Sequence, residues 1–364
     1  SSALIAGGPG VTSVWAVGGA MTVGGGSNSL VVDGGGAFGS ALLTSNGAAQ
    51  CSLAVGVQSE AIVTNGGNVI LGASTPSLGS ANCRLAVMAG SKISSDASGA
   101  SLMAISGNDS ILLVNGSNSI WEGRTPGGNG THIFVGFGTS RNALRIEAGG
   151  MVTGLNVIVG YPNTGNATNN LLSITGGGRM YSKILSSYIG FGSVANTGLV
   201  SGAGSLWSLG ADSVAFGSWG GGGLNMSGQS NVLLIADGGV VTNVGVYDAF
   251  DGYYGLYLGR GDANARYNSV TVTNGGRLYC AAGYVSYIGG AAGNASNTVV
   301  VAGNGSLWDL ALGGLTVGPD IVHYAANSST GNLLTIDQGG SVDNVGALIV
   351  QTNNAIVLAG GTLG

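Results

Sequence analysis

The chain has 364 residues, of which 73 are glycine, 44% are hydrophobic and only 7% are charged. This composition excludes a disordered chain, which needs low hydrophobicity and high net charge, and it disfavours helices because glycine costs about 1 kcal/mol in a helix interior. With 10 Lys and Arg against 15 Asp and Glu, the chain lacks the basic surface of a nucleic-acid-binding protein, and no apolar run is long enough to insert as a membrane-spanning helix.

One phrase recurs along the chain: a polar residue, an alternating apolar strand of about five residues, and a glycine-containing corner. The 11 intervals between copies range from 22 to 37 residues and average about 30, as in solenoid repeats. Between copies lies a second short strand that ends in glycine, such as HIFVG or NVIVG. In chain order the first phrase is anchored at Asn28, Glu60, Asn82, Asp109, Asn142, Asn170, Asn196, Asn231, Asn268, Asn297, Asn332 and Asn354.

This repeat predicts a single-stranded parallel β-helix, a β-solenoid of about 12 coils of about 30 residues. Glycine supplies the positive φ of each corner, and one circuit returns the chain about 4.8 Å along the axis, so 12 coils make a rod of about 60 Å. A β-propeller or β-sandwich is the alternative, but propeller blades need about 40–50 residues and four strands.

No linker marks a domain boundary, so one continuous solenoid is predicted over 1–364. Residues 1–130 contain no tyrosine and form less regular coils, whereas 131–364 form regular coils with G-x-G-S-L-W turns. Both terminal segments read as uncapped strands. Because bare strand edges invite pairing with another chain, we expect head-to-tail self-association into a homopolymer.

Two residue types recur at the corners, and we predict a structural role for both. The repeated Asn suggests a ladder of side-chain amides that bond the coils above and below. The tryptophans follow G-x-G-S turns or a variant of them and are expected to close the coil corner rather than stack on sugars. The residues in these predicted structural turns are Asn170, Asn231, Asn268 and Asn332, with Trp121, Trp207 and Trp308.

The densest cluster of acidic and aromatic residues lies within 247–267 and is the candidate site for glycan or partner contact. A carboxylate pair there has the groups to bind calcium or to act as the acid and base of a polysaccharide-cleaving enzyme, although a solvated insertion on the solenoid is the commoner explanation. We predict no catalysis, cofactor or metal. The candidate contact residues are Tyr247, Asp248, Asp251, Tyr253, Tyr254 and Tyr257.

Three cysteines, Cys51, Cys83 and Cys280, leave at least one without an internal partner. We expect all three to be buried as small hydrophobic residues.

The phrases VSGAGSLWSL (200–209), VAGNGSLWDL (301–310) and VTNGGRLY (272–279) resemble the β-helical repeats of bacterial autotransporter passenger domains and related surface proteins. The resemblance is good over 140–364. It implies an extracellular or cell-surface protein, secreted as a processed chain, that serves as a fibre, a surface layer or an adhesin shaft. The alternative is a polysaccharide-binding or polysaccharide-cleaving β-helix with its site near 247–267.

Overall fold

The computed structural model describes residues 2–8, 12–17, 21–24, 26–35, 40–45, 53–71, 75–96, 101–124, 131–163, 165–182, 185–210, 221–248, 252–259, 265–290, 293, 295–320 and 329–364. Strands and turns make up these residues, and no helix occurs among them. Each circuit of the chain runs in turn through three faces of the solenoid, which we call A, B and C.

Face A is one sheet of 13 strands in which every neighbour is parallel and lies one circuit away in the sequence. We number the coils 1 to 13 by these strands. They are β1 (Ser2–Ala6), β4 (Ser29–Asp33), β7 (Glu60–Thr64), β9 (Arg84–Met88), β12 (Ile111–Asn115), β15 (Ala143–Glu147), β18 (Leu171–Thr175), β21 (Thr197–Ser201), β25 (Val232–Ala236), β28 (Ser269–Thr273), β31 (Thr298–Ala302), β34 (Leu333–Asp337) and β37 (Ala355–Ala359).

Face B follows the glycine corner and holds one strand of each coil, again in parallel. Its strands are β2 (Thr12–Val17), β5 (Ser40–Ser45), β8 (Asn68–Ile70), β10 (Lys92–Asp96), β13 (Ile120–Arg124), β16 (Met151–Gly154), β19 (Arg179–Ser182), β22 (Leu206–Leu209), β26 (Val240–Asp248), β29 (Arg277–Cys280), β32 (Leu307–Asp309), β35 (Ser341–Asp343) and β38 (Thr362–Leu363).

Face C closes each circuit, and in coil 3 two isolated bridges at Ser77 and Leu78 take the place of a strand. Its strands are β3 (Met21–Val23), β6 (Leu53–Val55), β11 (Ser101–Ile105), β14 (Thr131–Phe137), β17 (Asn156–Tyr161), β20 (Ser187–Val194), β24 (Leu224–Gln229), β27 (Gly252–Leu258), β30 (Val285–Ile288), β33 (Gly314–Val317) and β36 (Ala347–Val350).

These three stacks of parallel strands confirm the predicted all-β parallel β-helix. The strand Ser2–Ala6 adds a coil to the 12 repeats counted in the sequence, because it precedes the first Asn of the repeat. Face A runs through the Tyr-free region and the regular region without interruption.

The parallel pattern is broken locally in coils 8 and 9. There β26 pairs antiparallel with β27 and with the short strand β23 (Gly221–Gly222). This hairpin accounts for the longest repeat interval, the 37 residues between Asn231 and Asn268.

The core is a set of apolar columns parallel to the axis. On most strands of face A alternate side chains are buried and meet their register partners, and each fully buried Val, Leu or Ile contributes about 1.5–3 kcal/mol. The inward column of face B shows the pattern over all 13 coils: Trp15, Leu43, Val69, Ile93, Trp121, Val152, Met180, Trp207, Val241, Leu278, Trp308, Val342 and Leu363.

Candidate functional site

A buried ladder of side chains runs along the corner that precedes face A. From Asn170 onward, each Asn Oδ1 accepts two hydrogen bonds from the Asn of the preceding coil, one from its backbone N–H at 2.9–3.1 Å and one from its Nδ2 at 2.8–3.1 Å. The amides that take part in these bonds are Asn142, Asn170, Asn196, Asn231, Asn268, Asn297, Asn332 and Asn354.

Most of these Nδ2 groups also donate to a backbone carbonyl left open by the corner, and that of Asn332 donates to the Oγ of Ser329 at 2.7 Å. Asn231 donates to the carbonyl oxygens of Ser193 at 3.0 Å and Ser227 at 2.9 Å, and Asn268 donates to that of Gly228 at 2.9 Å. The amides from Asn142 to Asn332 are almost completely buried, so these bonds satisfy groups that water cannot reach.

The ladder differs from the sequence anchors in the early coils. Ser59, Cys83 and Ser110 occupy the ladder position there, each one residue away from the predicted anchor. The preceding residue has a positive φ throughout, for example 56° at Asn82 and 60° at Asp109. Asn tolerates that conformation, which explains why Asn82 resembled a ladder residue.

The glycine that ends the second phrase packs against this ladder. A Cβ on Gly136, Gly160, Gly190 or Gly289 would overlap the Asn side chain of the next corner along the axis, and all four glycines have φ between 76° and 90°. The repeated glycine is therefore required both by backbone conformation and by the space that the amide occupies.

The three tryptophans lie in the core and not at a ligand surface. Trp121, Trp207 and Trp308 are fully buried in the inward column of face B. The indole Nε1 of Trp207 donates to the Oγ of Ser182 at 3.1 Å, and that of Trp308 contacts the Sγ of Cys280 at 3.4 Å.

Two of the candidate contact tyrosines are also buried, contrary to the expectation that they face a ligand. Tyr254 and Tyr257 are fully buried, and with Tyr287 they form a second small core outside face C. The hydroxyl of Tyr254 lies 2.8 Å from the Oγ of Ser186, two coils away. Tyr254 lies in the antiparallel register of the hairpin, opposite Val246, and Tyr257 lies in the parallel register of face C, opposite Tyr287. The hairpin was not visible in the repeat pattern.

The remaining candidates are placed only in part. Tyr247 and Asp248 lie on β26, in antiparallel register with Tyr253 and Gly252 of β27. Their side chains and that of Tyr253 are not described, and Asp251 lies outside the described residues.

A cluster of aromatic side chains that the sequence analysis missed lies on the outer surface of face C. We call Phe134, Phe137, Tyr161, Tyr188 and Phe191 the aromatic ridge. Phe137 and Tyr161 stack at 5.3 Å with 6° between their planes, and Tyr161 and Phe191 stack at 5.2 Å with 25°. Phe134 and Tyr188 pack edge-on against this stack at 4.8–5.3 Å.

The sequence does carry a signal for the ridge. Phe137, Tyr161 and Phe191 each follow the ladder-facing glycine directly, in three successive repeats. The residue after the equivalent glycine elsewhere is not aromatic, as Val57, Gly290 and Pro319 show.

The described cysteines behave as buried hydrophobic residues. Cys83 and Cys280 are free and buried, and burial raises the pKa of both thiols, against hydrogen bonds that lower it. A raised pKa leaves less thiolate at neutral pH and makes both thiols poor nucleophiles. Cys51 lies outside the described residues.

In the described part of the chain, no three residues among His, Cys, Asp and Glu converge as metal ligands. The same part contains no helix of the length and apolarity needed to cross a bilayer.

Comparison with known proteins shows that no family model and no curated protein matches the chain. Among solved structures, the chain is similar to a crystal structure of a TibC-catalysed, hyper-glycosylated TibA55-350 fragment. The two share 14% identity, with a TM-score of 0.33 over 93% of this chain and 99% of that one.

Proposed function

We propose that the chain is an extracellular structural protein whose solenoid forms a rigid shaft, either of a surface adhesin or of a head-to-tail fibre or surface layer. The observation that carries the proposal is the continuous parallel stack of 13 strands on face A. At about 4.8 Å per coil it makes a rod of about 60 Å.

The way in which the coils are held together supports a mechanical role. Neighbouring coils are joined by strand hydrogen bonds, by apolar columns and by the buried amide ladder. Ion pairs contribute little, since the described residues contain three: Arg84 with Glu60, Lys92 with Glu122, and Arg141 with Asp109. Such a shaft is expected to be insensitive to salt, because screening acts mainly on exposed charges.

The resemblance to autotransporter passenger repeats supports the extracellular location. The residues that carry it have structural roles here, since Trp207 and Trp308 of the G-x-G-S-L-W turns fill the same core column. A shaft built in this way does not require a catalytic residue.

Head-to-tail stacking is the form of self-association that a parallel solenoid allows. The inward columns run through the terminal coils and include Trp15 of coil 1, Leu348 of coil 12 and Leu358 of coil 13. A second copy stacked on either end would extend both the columns and the strand pairing, as heterologous contacts do in filaments.

Substitution at one end tests this stacking. We expect the native protein to form rods that lengthen with concentration in electron micrographs and light scattering. Leu358→Lys should stop this growth, because it puts a charge on a column that the next copy would bury.

The matched control is Val232→Lys, since Val232 is an exposed residue of the same face in coil 9. This variant should assemble like the native protein. If the native protein forms discrete rods at every concentration, the fibre is contradicted and the adhesin shaft is the remaining form of the proposal. If both variants assemble equally, the end-to-end contact at Leu358 is contradicted.

A further inference from the structure

We propose that the aromatic ridge is a binding surface for a neutral glycan chain that lies along the solenoid axis. This site is separate from the predicted 247–267 cluster. The inference goes beyond the proposed shaft and does not depend on its self-association.

The ridge is not needed to build the coil. The inward side chains of the same strands, among them Ile133, Val135, Val159 and Ile189, already fill the core, whereas the ridge side chains lie on the outer surface in coils 5 to 7. Phe191 is 37% exposed. A contiguous, partly exposed cluster of five aromatic side chains on the outer surface marks an interaction site.

On its coil 8 side the ridge is followed by small residues among those that the structure describes. Register places Ser227 and Gly228 of coil 8 beside the bulge that carries Phe191, and the Ser227 hydroxyl accepts a hydrogen bond from the Gly192 N–H at 3.1 Å. No ring among the described side chains continues the stack beyond Phe191, and a planar apolar surface of a ligand can continue it.

The chemistry of the ridge favours an uncharged ligand. The three strands that carry it, β14, β17 and β20, contain no Asp, Glu, Lys or Arg. They do contain hydrogen-bonding groups beside the rings, including the tyrosine hydroxyls and the pair of His132 and Asn156, whose Nδ1 and Oδ1 are 2.9 Å apart. Aromatic surface with a few polar groups is the composition of ligand sites, and it suits a sugar ring, which has apolar C–H faces and a hydroxyl rim.

The direction of the ridge favours a chain over a single sugar. Phe137, Tyr161 and Phe191 lie on consecutive coils and stack along the axis. Two steps of about 4.8 Å make the stack about 10 Å long, so an extended glycan parallel to the axis contacts all three coils.

Co-sedimentation with insoluble neutral polysaccharides (cellulose, xylan and a β-1,3-glucan) and titration with their soluble oligosaccharides test the proposal. We expect at least one to bind, with affinity that increases with oligosaccharide length. Tyr161→Ala and Phe191→Ala should each weaken binding about tenfold, the loss expected for one aromatic contact. Anionic polymers such as pectate should not bind better.

The matched control is Tyr181→Ala, because Tyr181 is a half-buried tyrosine of coil 7 on face B. It should bind like the native protein.

If Tyr161→Ala melts at a lower temperature, Phe191→Ser at the coil 8 side of the stack replaces it as the test. Absence of binding to every neutral polymer, or unchanged binding by the ridge variants, overturns the proposal. The proposal would also be overturned if the ridge variants change the sedimentation of the protein in the absence of polysaccharide. That result would show that a second copy of the chain binds the ridge.

Discussion

Replacement of Gly190 with alanine is expected to destabilise the solenoid by about 3–5 kcal/mol. Gly190 has φ 77°, where an L residue is strained, and the added Cβ would overlap the buried amide of Asn231. Neither group can move freely, because the amide is fixed in the ladder by its own hydrogen bonds. The measurement is the denaturant midpoint, with hydrogen exchange in coils 7 to 9 to locate the loss.

The control separates backbone conformation from contact. Gly283 has φ 80° and no atom within 4 Å of an added Cβ. Gly283→Ala should therefore cost about 1–2 kcal/mol, the conformational part alone. Equal losses in the two variants would contradict the packing of glycine against the ladder.

Replacement of Asn231 with alanine is expected to cost about 3–4 kcal/mol. The change removes the acceptor used by the backbone and side-chain amides of Asn196, at 2.9 and 3.1 Å, and the donor to Asn268 at 3.0 Å. Each buried group left without a partner costs about 1–3 kcal/mol. Hydrogen exchange should show the loss of protection concentrated in coils 8 to 10, since each coil contacts only its neighbours.

Asn115→Ala is the matched control for the ladder. Asn115 is half-buried on face A, and its Nδ2 makes a long contact of 3.4 Å with Glu147. Its removal should change stability by no more than about 0.5 kcal/mol. A loss at Asn115 equal to that at Asn231 would mean that the ladder has no special contribution.

The fold could be predicted because its causes are local and repeated. Alternation of apolar residues sets each strand, glycine sets each corner, and the interval of about 30 residues sets the circuit. The prediction was least accurate where the repeat departs from its consensus. Cys83 and Ser110 replace Asn in the ladder, and Ser2–Ala6 lacks a preceding Asn altogether.

The candidate site was harder to predict, because it depends on which face of a strand points outward. Tyr254 and Tyr257 lie in a segment that reads as an exposed insertion, yet both are buried in a small core. Tyr254 pairs antiparallel with Val246 of β26, and Tyr257 lies opposite Tyr287 on face C. Phe137, Tyr161 and Phe191 are far apart in sequence, and the coil brings them into contact. Their shared position after glycine predicts contact between the rings only when the register of the coils is known.

Distances between spin labels on face A test most directly whether each coil lies on the one before it. Arg145, Thr271 and Thr335 occupy the same column of face A in coils 6, 10 and 12. With the native cysteines replaced by alanine, labels at Arg145 and Thr271 should be about 19 Å apart, and labels at Arg145 and Thr335 about 29 Å, at about 4.8 Å per coil. Separations that do not increase in proportion to the number of coils would contradict the parallel stack.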